Sequence, residues 1–476
     1  MNLKLVPFAA IAAIMATSCS KEEVMDINYD PDGKAITFTA GVGHSRAVET
    51  TVKNLGDFNV IAKGIHPHGG IYDNYMIGSS TAGEKATRSS LNADSEGGIW
   101  KLDHNVSWPV ATTSALFWAY TFSQLQSDNT KTDVMPTGVT LAFNTEGTTP
   151  SISGFKPVKA DLSAASNAGF WNDGEKQSDF LIAFTQQDRK NGTSVKLNFD
   201  HALCQVDIKA KSANKADNDD RIVKIKGAWI VNTKNTGSIS AGYTWDEDNK
   251  KADTDPKWTA TIATGDFSAY GSFYSTPILL ATKDAVKNLL GSTLMIIPQT
   301  NTAWDKTAGD TEGTYILLLC RVELEHPGTA HTGTGSDADD TTLDDVKIQN
   351  GKHYHQQFPV NANSKFEAGE YGFVCVPVST DWKMGKRYVY TLDICGAATG
   401  AGSYPLDLPD KFAKLVPANH KYTTFFGEEA TLKIVPRGDI KGVGEPVLDA
   451  AIQFEVSVES WADAGSDWTN GNVNLQ

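Results

Sequence analysis

The sequence lacks the features by which many enzymes and membrane proteins are recognised. It has no P-loop, no G-x-S-x-G elbow and no G-x-G-x-x-G turn after a predicted strand, so no motif indicates nucleotide binding or serine hydrolysis. Beyond the N-terminus, no run of about 18 apolar residues predicts a membrane helix. We therefore expect no catalytic residue and no cofactor.

Positive charge is also scarce. Lys and Arg total 42, Asp and Glu total 57, and the net charge is −15 without a basic stripe, so nucleic acid is not an expected partner. With so many acidic residues, carboxylate pairs arise by chance and do not indicate a glycosidase. The acidic run 337–345 does not fit a calcium loop, because Thr342 and Ile348 stand where glycine and glutamate are needed.

Cysteine is rare, and its spacing argues against common zinc and redox motifs. Cys204 alternates in phase with Val206 and Ile208, which is typical of the apolar face of a strand. Since free cysteine packs as a small hydrophobic residue, four buried thiols are favoured. One or two disulfides remain the alternative in an oxidising compartment. The four cysteines beyond the N-terminal region, none in a C-x-x-C pair, are Cys204, Cys320, Cys375 and Cys395.

Histidine pairs are the remaining candidates for a metal site. His66 and His68 are two residues apart, as are His353 and His355, so each pair would share one face of a strand. Two ligands do not make a site, and the sequence reveals no third for either pair. We therefore expect no metal, and we expect His201 to be structural.

The N-terminus combines a charge, a short apolar run and a cysteine. Lys4 precedes the apolar residues 5–16, and small residues lead to Cys19. This pattern predicts a secretory signal over residues 1–18, followed by a linker over 19–34. Cys19 resembles the lipidated cysteine of bacterial lipoproteins, whose lipid binds the outer membrane. An ordinary signal peptide is the alternative. Residues 20–23 resemble the surface-export tag of Bacteroidota lipoproteins.

Alternating apolar residues dominate the rest of the chain and predict an all-β fold. The parity of the alternation switches near Asp200 and His201, which predicts a bulge or bend. A short helix is expected over residues 282–291, between capping residues and Gly291. The alternating or continuous apolar segments that predict strands are 36–42, 195–208, 293–298, 315–320, 372–378, 388–394 and 452–458.

A charged stretch separates two strand-rich halves of the chain. This stretch covers residues 211–221 and interrupts the apolar alternation. We therefore predict an N-terminal domain over residues 35–212 and a C-terminal domain over residues 213–476.

Several segments resemble, in order, the motifs of the fimbrillin, or Mfa-like, family. The resemblance implies two transthyretin-like β-sandwich domains with Greek-key-type strands and few short helices. It also implies a non-catalytic subunit of a surface fimbrium (pilus). The segments are WPVATTSALFWAYTF (108–122), DFLIAF (179–184), VKLNFDHALCQVDIKA (195–210), MIIPQ (295–299) and WKMGKRYVYTLDI (382–394).

The resemblance also implies how subunits join. Family precursors keep an N-terminal strand that an arginine-specific protease removes, and another subunit's strand then fills the groove by β-strand exchange. In this chain cleavage would fall between Arg46 and Ala47. Arg46 as an ordinary loop residue of an unprocessed chain is the alternative. The displaced strand would carry Ile36, Phe38, Ala40 and Val42 on one face.

The C-terminal sequence bears on the position in the fimbrium. Residues 462–476 have no alternating apolar run and make a poor donor strand, while 452–458 could donate only from outside the fold's own sheet. This favours a tip or accessory adhesin with a host or glycan ligand. The alternative is a surface glycan-binding lipoprotein of a carbohydrate-uptake system, in which Trp245, Trp258 and Trp468 could line the glycan site.

Overall fold

The computed structural model describes most of the chain between residues 33 and 460. Cys19, Arg46 and Ala47 lie outside the described residues. Within them, no helix is long and apolar enough to cross a membrane. The described ranges are 33–42, 54–68, 70–89, 98–125, 131–144, 149–157, 170–172, 177–212, 220–240, 243–246, 251–254, 257–261, 267–280, 285–327, 345–360, 365–396, 399–437, 441–448 and 450–460.

In the first part of the chain, the described residues form strands joined by turns, with one described 3₁₀ turn (Arg189–Asn191). Nine of these strands form one sheet in the order β3-β2-β4-β5-β1-β12-β11-β6-β7, with the bounds that follow. The strands are β1 (Thr37–Val42), β2 (Phe58–Ile65), β3 (Ile71–Ile77), β4 (Glu84–Arg88), β5 (Trp100–Leu102), β6 (Ser114–Leu125), β7 (Lys131–Asp133), β8 (Thr140–Phe143), β9 (Pro150–Phe155), β10 (Phe170–Asn172), β11 (Asp179–Asp188) and β12 (Ser194–His201).

This nine-stranded sheet closes on itself. Strand β2 also pairs with β6, from Asn59–Tyr120 to Ile65–Ser114, so the circuit β2-β4-β5-β1-β12-β11-β6 is continuous. We call this circuit the closed sheet. Closure leaves the strands of the circuit without a free edge. Its buried core includes Phe38, Phe58, Val60, Trp100, Phe117, Leu181, Val195, Leu197 and Phe199.

The second part of the chain is also almost entirely strands. Its described helical residues are α1 (Pro409–Phe412) and a 3₁₀ turn (Ala413–Leu415). The strands are β13 (Cys204–Lys211), β14 (Asp220–Val231), β15 (Thr236–Ser240), β16 (Tyr243–Asp246), β17 (Lys251–Thr254), β18 (Lys257–Thr261), β19 (Ala269–Leu280), β20 (Lys287–Asn288), β21 (Leu294–Ile296), β22 (Thr300–Asn301), β23 (Tyr315–Pro327), β24 (Val346–Gln349), β25 (Lys352–Phe358), β26 (Glu370–Pro377), β27 (Thr380–Asp381), β28 (Lys386–Asp393), β29 (Lys421–Thr423), β30 (Glu429–Thr431), β31 (Lys433–Ile434) and β32 (Gln453–Ser460).

Two sheets, formed by strands of this second part together with β10 of the first part, pack face to face as a β-sandwich. One has the order β10-β19-β14-β23-β25-β24, with β26 and β31 attached, and the other has the order β20-β13-β28-β32, with β21 attached. A four-stranded sheet, β18-β15-β9-β8, combines strands from both parts of the chain. The core between the two large sheets includes Val206, Ile208, Ile225, Leu318, Val374 and Tyr390.

The predicted all-β class is confirmed, and the parity switch marks a change of sheet. Strand β12 ends at His201 in the closed sheet, and β13 begins at Cys204 in the sandwich. Strand β13 lies before residue 212 in the chain but pairs with β21 and β28. Hydrogen bonding therefore crosses the expected boundary, and the division into domains 35–212 and 213–476 stays a prediction.

The prediction of a helix over residues 282–291 is wrong for residues 285–291, the part that the structure describes. Strand β20 pairs there with β13, and the Leu289 amide donates to the Ile208 carbonyl at 2.8 Å. Leu289 and Leu290 are both buried, although they are adjacent in sequence. Edge pairing with β13 and burial of both leucines outweigh the local helix signal, which is a weak preference.

The cysteines beyond residue 200 are buried free thiols, the favoured interpretation of the sequence. The Cys204 thiol donates to the Ile296 carbonyl at 3.2 Å. Burial raises the pKa of Cys204, Cys320 and Cys375 well above the usual thiol range. These thiols therefore act as packing groups rather than as nucleophiles.

Candidate functional site

Strand β1 occupies an interior position in the closed sheet. It runs parallel to β12, with every residue from Thr37 to Val42 opposite a residue of 194–199. On its other side it meets β5 at the pair Phe38–Trp100. Because β1 separates β12 from β5, it completes the circuit of hydrogen-bonded strands.

Two apolar side chains anchor β1 in the core. Ile36, just before the strand, is 3% exposed and Phe38 is 0% exposed. The Phe38 ring lies edge-on to Phe58 and Phe117, with a centroid distance of 6.2 Å to each. Ala40 is half-buried and packs against the same core. The two-residue alternation of the sequence thus directs these side chains inward.

Loss of β1 would open the closed sheet and create two new edges. Strand β12 would lose its parallel partner, and the buried side chains of Val195, Leu197 and Phe199 would line the resulting groove. Burial of Ile36 and Phe38 alone contributes about 3–6 kcal/mol, at about 1.5–3 kcal/mol for each side chain. Unpaired main-chain groups would add to this cost. Loss of β1 would therefore expose a groove lined by apolar side chains and unpaired main-chain groups.

The other predicted processing residues stand close to β1 in the sequence. Strand β1 ends at Val42, and Arg46 and Ala47 follow after a three-residue interval. Of the predicted displaced residues, Phe38, Ala40 and Val42 lie in β1, and Ile36 directly precedes the strand. Cleavage between Arg46 and Ala47 and lipidation of Cys19 concern residues outside the described ranges and stay predictions.

The C-terminal strand β32 lies at the edge of the five-stranded sheet. It pairs with β28 over residues 386–393. Ile452 and Val456 are buried, whereas Phe454 and Val458 are 37% and 39% exposed. Residues 452–458 could donate a strand only from outside the fold's own sheet. Because β32 is paired within that sheet, this segment is not available as a donor while the pairing lasts.

A buried polar pair links two strands at the end of the closed sheet. His201, at the end of β12, lies beside Asp179 at the start of β11, with 3.0 Å between Nδ1 and Oδ1, and both side chains are buried. Burial raises the pKa of the neighbouring Asp200, and the nearby His201 acts in the opposite direction. His201 thus joins two strands, in agreement with the structural role predicted for it.

The two histidine pairs have different surroundings. His66 follows β2, and His68 lies in the turn that leads to β3. His353 and His355 lie on β25, and β23 places His326 beside both of them. His326 could not be recognised from the sequence as a third member, because only strand pairing joins it to the pair. A register prediction for residues 322–326 against 353–358 would have revealed it.

The tryptophan singled out at position 258 lies between sheets. Its ring is 5.9 Å from each of the Phe155 and Phe180 rings, and its indole N–H donates to the Ala202 carbonyl at 2.5 Å. Trp258 therefore contributes to packing rather than to an open aromatic platform. The Trp245 side chain and all of Trp468 lie outside the described part.

Comparison with known proteins identifies one family. The model of a family described as fimbrillin-like matches residues 85–403, whereas no curated protein matches the chain. A solved fimbrial protein from Bacteroides vulgatus has 15% identity and a TM-score of 0.39, over 76% of this chain and 95% of that one. A candidate cell adhesion protein from Bacteroides eggerthii has 11% identity and a TM-score of 0.31, over 90% and 97% respectively.

Proposed function

Since this chain belongs to the fimbrillin-like family, we propose that it is a structural, non-catalytic subunit of a surface fimbrium whose subunits join at the groove filled by β1. The interior position of β1 carries the proposal. A strand whose departure opens the closed sheet leaves a groove that only another extended segment can complete. Such strand addition combines main-chain hydrogen bonds with pockets for alternate side chains.

The proposed assembly begins with the chain tethered through a lipid on Cys19. Cleavage between Arg46 and Ala47 separates Cys19 and β1 from the rest of the chain. A donor strand from another subunit then replaces β1 along β12. Its apolar side chains occupy the positions of Ile36 and Phe38, which fixes the register of the donor.

The C-terminal residues support a tip or accessory position in the fimbrium. Strand β32 is already paired with β28 along its length, and residues 462–476 lack alternating apolar anchors. The chain would therefore accept a strand more readily than it donates one. Regular filaments formed by this protein alone would contradict this position.

A disulfide lock tests whether β1 must leave. Thr39 and Lys196 are register partners in β1 and β12, and neither side chain is fully buried. The double variant Thr39→Cys with Lys196→Cys should form a disulfide that retains β1 after cleavage. We expect the oxidised variant to stay out of fimbriae, as detected by immunogold electron microscopy and by blotting of sheared filaments.

The single variant Thr39→Cys is the matched control, because it changes the same strand without a cross-link. It should enter fimbriae at the wild-type level, and reduction of the double variant before assembly should restore its entry. Normal incorporation of the oxidised, cross-linked protein would show that β1 stays in place and would refute strand exchange at this groove.

A further inference from the structure

Three histidines converge on two neighbouring strands of the sandwich. His326 on β23 lies directly opposite His353 on β25, and His355 is two residues further along β25. The ring centroids are 5.0 Å apart for His326 and His353, 5.4 Å for His326 and His355, and 5.2 Å for His353 and His355. One ring nitrogen from each histidine lies within 4.8 Å of the others.

The fold places this trihistidine cluster at the end of a row of side chains that begins in the core. On β23, Val322 and His326 have the same parity, and Val322 is part of the sandwich core. His353 is 4% exposed, whereas His326 and His355 are half-buried. The cluster therefore has a rigid base formed by two hydrogen-bonded strands and remains reachable from solvent.

We infer that the trihistidine cluster binds a divalent transition-metal ion of the class that prefers imidazole, with Zn²⁺ as its representative. Neutral imidazole suits Zn²⁺, Cu²⁺ and Ni²⁺, whereas Ca²⁺ and Mg²⁺ prefer oxygen ligands. Three protein ligands leave a fourth tetrahedral position for water or for a donor atom of another molecule. The bound ion would cross-link β23 and β25.

Small side-chain rotations would bring the nitrogens to coordination distance. Tetrahedral Zn²⁺ with Zn–N bonds of about 2.0–2.1 Å requires nitrogens about 3.3 Å apart. The ligand atoms already lie within 4.8 Å of one another, so changes in the histidine χ angles suffice without movement of the strands. The i, i+2 spacing and the cross-strand partner supply three convergent ligands on one face.

Metal titration of the full exported chain, prepared without an affinity tag and stripped with chelator, tests the inference. We expect ZnCl₂ to bind at one equivalent in isothermal titration calorimetry and to raise the melting temperature, whereas CaCl₂ does neither. CoCl₂ should give the visible absorption bands of tetrahedral cobalt with nitrogen ligands. Absence of saturable Zn²⁺ binding at micromolar protein, or octahedral cobalt bands only, would overturn the inference.

Substitutions then assign the ligands. His326→Gln and His355→Gln should each weaken Zn²⁺ binding by more than roughly tenfold. Loss of a group that only hydrogen-bonds to a metal ligand already lowers metal affinity by roughly 10–100-fold, so loss of a ligand should cost at least as much. The matched control is the double variant His66→Gln with His68→Gln, which removes a histidine pair elsewhere and should bind as wild type. Circular dichroism checks that each variant folds. If one variant does not fold, the cobalt spectrum of the wild-type protein still tests the inference. Loss of binding in the control alone would refute the site.

Discussion

The docking of β1 can be tested quantitatively through Phe38. This ring is fully buried and packs against Phe58 and Phe117, so Phe38→Ala should weaken docking by about 3–5 kcal/mol. If β1 leaves as a unit, amide hydrogens of β12 that bond to β1 become exchangeable at that moment. Because about 1.4 kcal/mol corresponds to a factor of ten, their exchange should accelerate by about two to four orders of magnitude.

Hydrogen–deuterium exchange of peptides that cover residues 194–201 measures this effect. The matched control is Thr39→Ala in the same strand, where the change should cost less than about 1 kcal/mol. Exchange within β13, which belongs to a different sheet, should be unchanged in both variants. Equal acceleration in β12 and β13, or no acceleration in β12, would refute the view that β1 departs independently of the rest of the fold.

Three further predictions concern the buried polar groups of the sandwich. Burial lowers the pKa of Lys226 to about 7, whereas an unfolded lysine keeps its proton up to about pH 10.4. The unfolded chain therefore binds more protons between these values, so stability should rise from pH 7 to 10, and Lys226→Met should reduce this slope in urea unfolding. Glu323 contacts Lys224 and Arg321, all buried, so Glu323→Gln should cost about 3–5 kcal/mol in denaturant unfolding by removing the carboxylate that both buried cations contact. A thiol reagent should react with the native protein slowly and, after denaturation, with all of Cys204, Cys320, Cys375 and Cys395.

The local apolar pattern was enough to predict eight of the described strands, among them β1, β12, β13 and β32, because each of the eight has at least one face on a core. It could not predict their partners. Residues 37–42 pair in parallel with residues 194–199, and such long-range pairing depends on the whole closed sheet rather than on either segment. The switch of parity near His201 predicted a bend, but the change from the closed sheet to the sandwich is a property of the surrounding strands.

The predicted helix and the third histidine both show that local sequence does not determine strand pairing. Residues 285–291 carry a local helix signal, yet pairing with β13 and burial of Leu289 and Leu290 decide their conformation. His326 carries no local signal at all, and it becomes a member of the trihistidine cluster only through the register of β23 and β25.

The N-terminal residue of the protein in isolated fimbriae tests strand exchange most directly. Edman sequencing or mass spectrometry of sheared filaments would identify it in a single measurement. Departure of β1 predicts a chain that begins at Ala47 and lacks residues 19–46. A filament-borne chain that still begins at lipidated Cys19, with β1 intact, would contradict the proposed assembly.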